Sequence, residues 1–187
     1  TPFECGLRRV EELFGVVCSR VGVGWGLVDE NPVSPAVTPT SAMMLAHLPM
    51  GAGSRTVRVL LPPGYSESTV TYPVIYMFDG QNLFDTQTAT YGKSWDLRGV
   101  MARMAAADPD LAAVIVGIDS PSDKFDRCAD YTVWDWTFRL RPGDPDGRPI
   151  KATGRETARW LVSVVKPWAE QTLRIRSDPG DVTIAGS

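Results

Sequence analysis

The sequence predicts an α/β fold built on a mostly parallel sheet flanked by helices. Three observations carry that expectation. Tyr72 to Phe78 and Leu111 to Ile118 are nearly continuous apolar runs, the pattern of strands buried on both faces. A helical stretch, Trp95 to Ala107, separates them, and a second helical stretch leads to a last short strand, Val182 to Ala185. Strands alternating with helices in this order imply βαβ crossovers and hence parallel pairing.

The first segment, Leu7 to Val21, spaces Val10, Leu13, Phe14, Val17 and Val21 at three and four residues, as a helix does. Arg8 and Arg9 before apolar residues resemble the start of a signal peptide, but Glu11 and Glu12 interrupt the apolar run. No signal peptide is read, and the reading favours the cytoplasm. Asp29 to Thr40 holds Pro32, Pro35 and Pro39 and reads as a linker. Residues 1–42 are thus expected to be an N-terminal helix and proline-rich linker, and 43–187 the domain proper.

Within that domain, the lone histidine, His47, sits in a short apolar stretch expected to be an early strand, where a structural role is the better reading. Arg55 to Leu61 alternates polar and apolar residues, the mark of a half-buried strand, until Pro62-Pro63-Gly64-Tyr65 stops it. Asp79-Gly80 breaks the next strand, Asp108-Pro109-Asp110 ends the helical stretch, and Asp119-Ser120-Pro121 closes the second apolar run. Ser120 to about Ala152 reads as one long irregular stretch, of the kind that is often functional. Thr153 and Glu156 then have the spacing of a capping box. Ala158, Leu161, Val162, Val165, Trp168, Ala169 and Thr172 continue a helical face, and Pro167 should kink it. Asp178 to Asp181 is a turn.

Composition excludes several classes of function. A net charge of −3 leaves no basic footprint for nucleic acid. No apolar run approaches the length of a membrane span. The three cysteines, Cys5, Cys18 and Cys128, make a poor disulfide framework and lack zinc spacing; a Cys5–Cys18 bridge is the one pairing left open. No metal site or cofactor is indicated, and oligomeric state is not encoded in any pattern found.

Ligands of parallel sheets bind at the carboxyl ends of the strands. Here those ends are Asp79-Gly80-Gln81-Asn82, Asp119-Ser120 and Gly186-Ser187, each polar or glycine-rich after an apolar strand. The chemistry is expected there.

At this point a resemblance emerges. Arg58-Val59-Leu60-Leu61-Pro62-Pro63-Gly64-Tyr65, followed by Tyr72 to Asp85, is similar to the putative esterase family of α/β-hydrolases, which includes enterochelin-esterase-like enzymes, feruloyl esterases and S-formylglutathione hydrolases. Gly92 to Leu97 and Val114 to Asp119 continue it. Arg127 with Asp130-Tyr131-Thr132 resembles the family's Arg…Glu-Tyr-Thr segment, with Asp in place of Glu. Lys166-Pro167-Trp168 resembles its Lys-Pro-Tyr helix, and Val182 to Ser187 the strand leading into the nucleophile elbow. The likeness covers roughly residues 43 to 187.

The resemblance implies an incomplete α/β-hydrolase fold ending at the nucleophile strand. It also implies a small-molecule ester as substrate and a serine ester hydrolase working through an acyl-serine. That fold needs a serine on a tight turn, then an acid and a histidine later in the chain. In the family register the nucleophile is the residue after Ser187; in a competing register it is Ser187 itself. The resemblance supplies one oxyanion donor from the loop after the third strand. Gln81 is the candidate amide, with Asn82 second and Gly80 allowing the sharp turn. Trp95, Tyr131 and Trp134 are candidates for lining the substrate pocket, although aromatics in a long loop also serve to pack it down. Asp79, Asp119 and Asp130 are expected as turn residues or hydrogen-bond acceptors. No acid and histidine follow the serine, so the chain alone is expected to be inactive and poorly stable. A non-catalytic ester-binding module is the alternative reading.

Overall fold

The computed structural model describes residues 42–141 and 146–186. The expected helix at Leu7 to Val21, the proline-rich linker, Cys5, Cys18 and Ser187 lie outside the described residues.

Seven strands are described: β1 (Met43–Met50), β2 (Gly53–Leu60), β3 (Val74–Phe78), β4 (Val114–Ile118), β5 (Trp136–Phe138), β6 (Arg148–Ile150) and β7 (Val182–Ala185). The main sheet has the order β1-β2-β4-β3-β7. β1 and β2 form an antiparallel hairpin, turned at Gly51, whose positive φ of 59° suits glycine. β2 also runs antiparallel to β4, while β3 pairs in parallel with both β4 and β7. The sheet is therefore parallel in the half that carries the expected site.

Side-chain alternation explains why the central strand is apolar throughout. All five residues of β4 are buried. Val114, Val116 and Ile118 point into one core, with Val57, Val59, Val74 and Tyr76. Ile115 points into the other, with Leu60, Met77, Leu83 and Phe84. Each core is closed by helices. α1 (Leu97–Ala107) brings Met101 to the second core. α3 (Gly154–Trp160) and α4 (Lys166–Thr172) bring Trp160 and Ala169 to the first. A strand with helices on both faces has no polar face to display.

The local chemistry corrects three expectations. α1 begins at Leu97, not Trp95, because Asp96 takes a left-handed conformation (φ 50°) and caps the helix, its carboxylate accepting from Gly99 N–H at 3.3 Å. The stretch from Ser120 to Ala152 is not irregular throughout. It contains α2 (Lys124–Asp130) and the β5–β6 hairpin, elements of seven and three residues, too short to show a period. Asp123 starts α2 by accepting from Phe125 and Asp126 N–H, and these two bonds hold its carboxyl below the usual carboxylate range. Thr153 does stand at the N-cap of α3, yet it forms no capping box. Its hydroxyl donates instead to Asp130 Oδ1 at 2.9 Å.

Pro167 acts before it is reached. Between α3 and α4, Leu161 to Val165 form a π-turn, with Lys166 N–H bonding to Leu161 C=O five residues back. Proline lacks an N–H and its ring collides with the carbonyl four residues earlier. Widening the preceding turn relieves both problems, and Pro167 then sits in the first turn of α4.

Candidate active site

β3 ends at Phe78, and the chain turns at once into a short 3-10 segment, Gly80–Asn82. The residue that makes the turn is Asp79, with φ 57° and ψ 44°. Asp and Asn tolerate this left-handed region better than most residues. Gly80, expected to give the backbone its freedom, has a different role. A Cβ there would stand 2.6 Å from the carbonyl carbon of Gly117 and 2.8 Å from Ile118 N. Glycine is needed so that the turn can lie directly on the end of β4.

Asp79 is 1% exposed and carries a carboxylate. A buried charge needs partners, and this one has several. Arg127 on α2 donates from Nε to Oδ1 at 2.9 Å and from Nη2 to Oδ2 at 2.5 Å. The Tyr131 hydroxyl donates to Oδ1 at 3.1 Å. Burial pushes the Asp79 carboxyl up, but Arg127, Ser120 and Tyr131 beside it outweigh that and hold the group below the usual carboxylate range. The same bond to Asp79 raises Arg127. Burial, reinforced by the neighbouring carboxylate, raises the Tyr131 phenol.

The turn is tied to the next strand end as well. Gln81 Nε2 donates to Ser120 Oγ at 2.8 Å, and Ser120 N–H donates back to Gln81 Oε1 at 3.0 Å. Asn82 Oδ1 accepts from Thr90 N–H, and Asn82 C=O accepts from Trp95 N–H. Asn82 N–H donates to Asp79 C=O at 2.8 Å, so this donor is already committed. The Gly80 and Gln81 N–H groups precede the first bond of the turn and have no partner among the described residues.

Two further arginines act at the same edge. Arg58 on β2 holds Asp119 through Nε (2.8 Å to Oδ1) and Nη2 (2.9 Å to Oδ2). Arg55 reaches Asp130 at 2.6 Å. Because β2 runs antiparallel to β4, with Arg58 opposite Gly117, its early residues lie beside the carboxyl end of β4. Asp79, Asp119 and Asp130 are thus acceptors for three arginines. The arginine partners are not evident from the sequence; the one signal is two cations, Arg55 and Arg58, on opposite faces of a strand otherwise apolar inside. Among the described residues no cluster of His, Cys, Asp or Glu could hold a metal ion.

The far side of β3 is β7. Their parallel register sets Met77 against Ala185, and Gly186 lies on Phe78, where a Cβ would come to 3.2 Å of the phenylalanine Cβ. The end of β7 and the Asp79–Asn82 turn are therefore adjacent. The predicted pocket residues do not gather as a set. Tyr131 spends its hydroxyl on Asp79 and packs edge-on against Phe78. Trp95 is bound to the turn through its backbone, with its side chain partly exposed. Trp134 is exposed, and no hydrogen bond or ring contact joins it to the turn among the described residues. His47 lies on β1, at the opposite edge of the sheet from β7, with Nδ1 3.2 Å from Thr56 Oγ1.

A sheet of order β1-β2-β4-β3-β7, antiparallel at β1 and β2 and parallel from β4 to β7, with a tight polar turn after β3, fits a partial α/β-hydrolase fold. The family described as Putative esterase matches residues 50–187, and the chain belongs to that family. Among solved structures it is similar to the BES protein from Bacillus cereus, with 19% identity, 85% of this chain and 54% of that one covered, and a TM-score of 0.50. It is also similar to a ferulic acid esterase (18% identity, 79% and 49% covered, TM-score 0.52). A third likeness is to the CE1 ferulic acid esterase AmCE1/Fae1A from Anaeromyces mucronatus (17% identity, 83% and 51% covered, TM-score 0.51). At these identities the likeness is one of fold. The chain spans about half the length of these structures. No curated protein sequence matches it.

Proposed function

We propose that the chain belongs to a serine carboxylic ester hydrolase and supplies its oxyanion turn. The observation that carries this reading is the parallel register of β3 and β7. It brings the end of β7, where the family places the nucleophile, beside a turn whose Gly80 and Gln81 N–H groups are uncommitted. A serine leaving β7 would attack the ester carbonyl, and the carbonyl oxygen would gain negative charge. Backbone N–H donors fixed nearby stabilise that charge without reorganising. Gln81 is the donor assigned to this role. Asn82 is the weaker candidate because its N–H already bonds to Asp79. The nucleophile is the residue after Ser187 in the family register, or Ser187 in the competing one.

Small-molecule esters, among them the feruloyl esters named for two of the similar structures, are the substrates to try first. Turnover of p-nitrophenyl acetate, together with labelling by a fluorophosphonate probe, tests the reading. The mass of the labelled peptide distinguishes the two serine registers. No turnover and no labelling would overturn it.

The alternative is a module that holds an ester without cleaving it; His47, in contact with Thr56 on the β1–β2 hairpin, takes no part at the turn in either reading. Saturable binding of an ester that is recovered intact, with no probe labelling, favours this second reading.

A further inference from the structure

We infer that Ser120 and the side chain of Gln81 form a positioning pair that sets the aim of the oxyanion turn, an inference resting on the esterase reading above. The bond polarity is fixed at every step. Ser120 N–H can only donate, so it identifies the Gln81 atom facing it as the carbonyl Oε1. That leaves Nε2 as the donor to Ser120 Oγ, at 2.8 Å. Ser120 therefore holds the Gln81 side chain at both ends, through its backbone N–H and its hydroxyl.

The connection crosses strands. Gln81 follows β3 and Ser120 follows β4, 39 positions apart in sequence. A turn held only by its own backbone bonds could rock on the end of β3. Two side-chain bonds to the neighbouring strand end remove that freedom. Misplacing a catalytic donor by about 1 Å can cost about a hundredfold in rate, so the clamp acts on rate more than on stability. Neither residue needs to touch substrate through its side chain.

The test is a double-mutant cycle on ester hydrolysis with the whole hydrolase to which the chain belongs. Ser120→Ala and Gln81→Ala should each lower kcat about ten- to a hundredfold, with KM changed less than about twofold and little movement of the urea midpoint. The double variant should be no worse than Gln81→Ala, which removes both bonds, whereas Ser120→Ala keeps its backbone N–H and removes one of them. Ser120→Thr restores the hydroxyl and should recover most of kcat. Unchanged kcat in Ser120→Ala, or fully additive losses, overturns the positioning role and leaves the esterase reading standing. No turnover by the unaltered protein overturns both.

Discussion

Gly80 and Gly117 touch where β3 and β4 end: a Cβ on Gly117 would stand 3.2 Å from the Gly80 Cα, and one on Gly80 2.6 Å from the Gly117 carbonyl carbon. The two positions differ in what surrounds them. Gly117 would meet mainly side-chain atoms, Leu83 Cδ1 at 2.9 Å and Phe84 Cε2 at 3.1 Å, whereas Gly80 would meet the Gly117–Ile118 backbone and Asp119 Oδ1, which Arg58 holds in place. Side chains can turn aside and backbone cannot. Overpacking costs about 1–3 kcal/mol, so Gly117→Ala should fall at the low end and Gly80→Ala at or above the high end. Urea denaturation of the two variants checks the order.

Removing Arg127 strands a carboxylate that is 1% exposed. Breaking a buried pair by deleting one partner costs about 3–5 kcal/mol. Arg127→Met should lose much of that stability, while Arg127→Met combined with Asp79→Asn should recover part of it by removing the uncompensated charge. Denaturant melts of the single and double variants measure the recovery.

The same carboxylate sets a pH dependence. Its folded pKa lies below the ordinary value, so the unfolded chain takes up the proton first as pH falls. The stabilising contribution is full above about pH 4, the ordinary aspartate range, and is lost as pH falls through the lower folded value. Asp79→Asn should flatten this acid limb without altering the slope between pH 6 and 8. A series of urea midpoints from pH 6 down to pH 2.5 shows the difference.

Thr153 and Glu156 should behave differently from partners in a capping box. The Thr153 hydroxyl donates to Asp130, which also holds Arg55, so Thr153→Ala removes one bond from a partly buried network and should cost about 1–2 kcal/mol. Glu156 is 62% exposed and reaches only Arg159, at 3.9 Å. Glu156→Ala should stay within about 0.5 kcal/mol of the parent. Equal losses at both positions would restore the capping-box reading.

Trp160 joins α3 to the outer hairpin through a bond from its indole N–H to Pro49 C=O at 2.6 Å. Trp160→Phe keeps the ring in the core but leaves that carbonyl without its donor. The expected loss is about 1–3 kcal/mol, with hydrogen exchange in β1 accelerated more than in β4.

The sequence made the parallel half of the sheet legible because burial on both faces writes itself as unbroken apolar runs. Val114 to Ile118 could hardly be anything else. The polar strand ends were legible for the same reason: Asp79-Gly80 and Asp119-Ser120 interrupt those runs abruptly. Contacts between distant residues were not legible. Asp79 looks like any turn aspartate until Arg127 arrives 48 positions later, and nothing local separates the two. Gly80 was assigned the wrong physical role because a glycine at a turn suggests positive φ, whereas its true constraint is the neighbouring strand. α2 and the β5–β6 hairpin were lost to shortness, and the π-turn to the fact that proline's effect falls upstream of the proline.

The conformation of Asp79 has a consequence for what can stand there. Its backbone demands a left-handed residue, and its pocket demands an anion for Arg127. Glycine meets the first demand and not the second. Glutamate carries the charge but lacks the local tolerance for φ near 57°. Asparagine keeps the shape and backbone yet leaves the guanidinium facing a neutral amide. Two requirements that are each mild become jointly exclusive when they fall on one position, and aspartate is the single natural residue in their overlap.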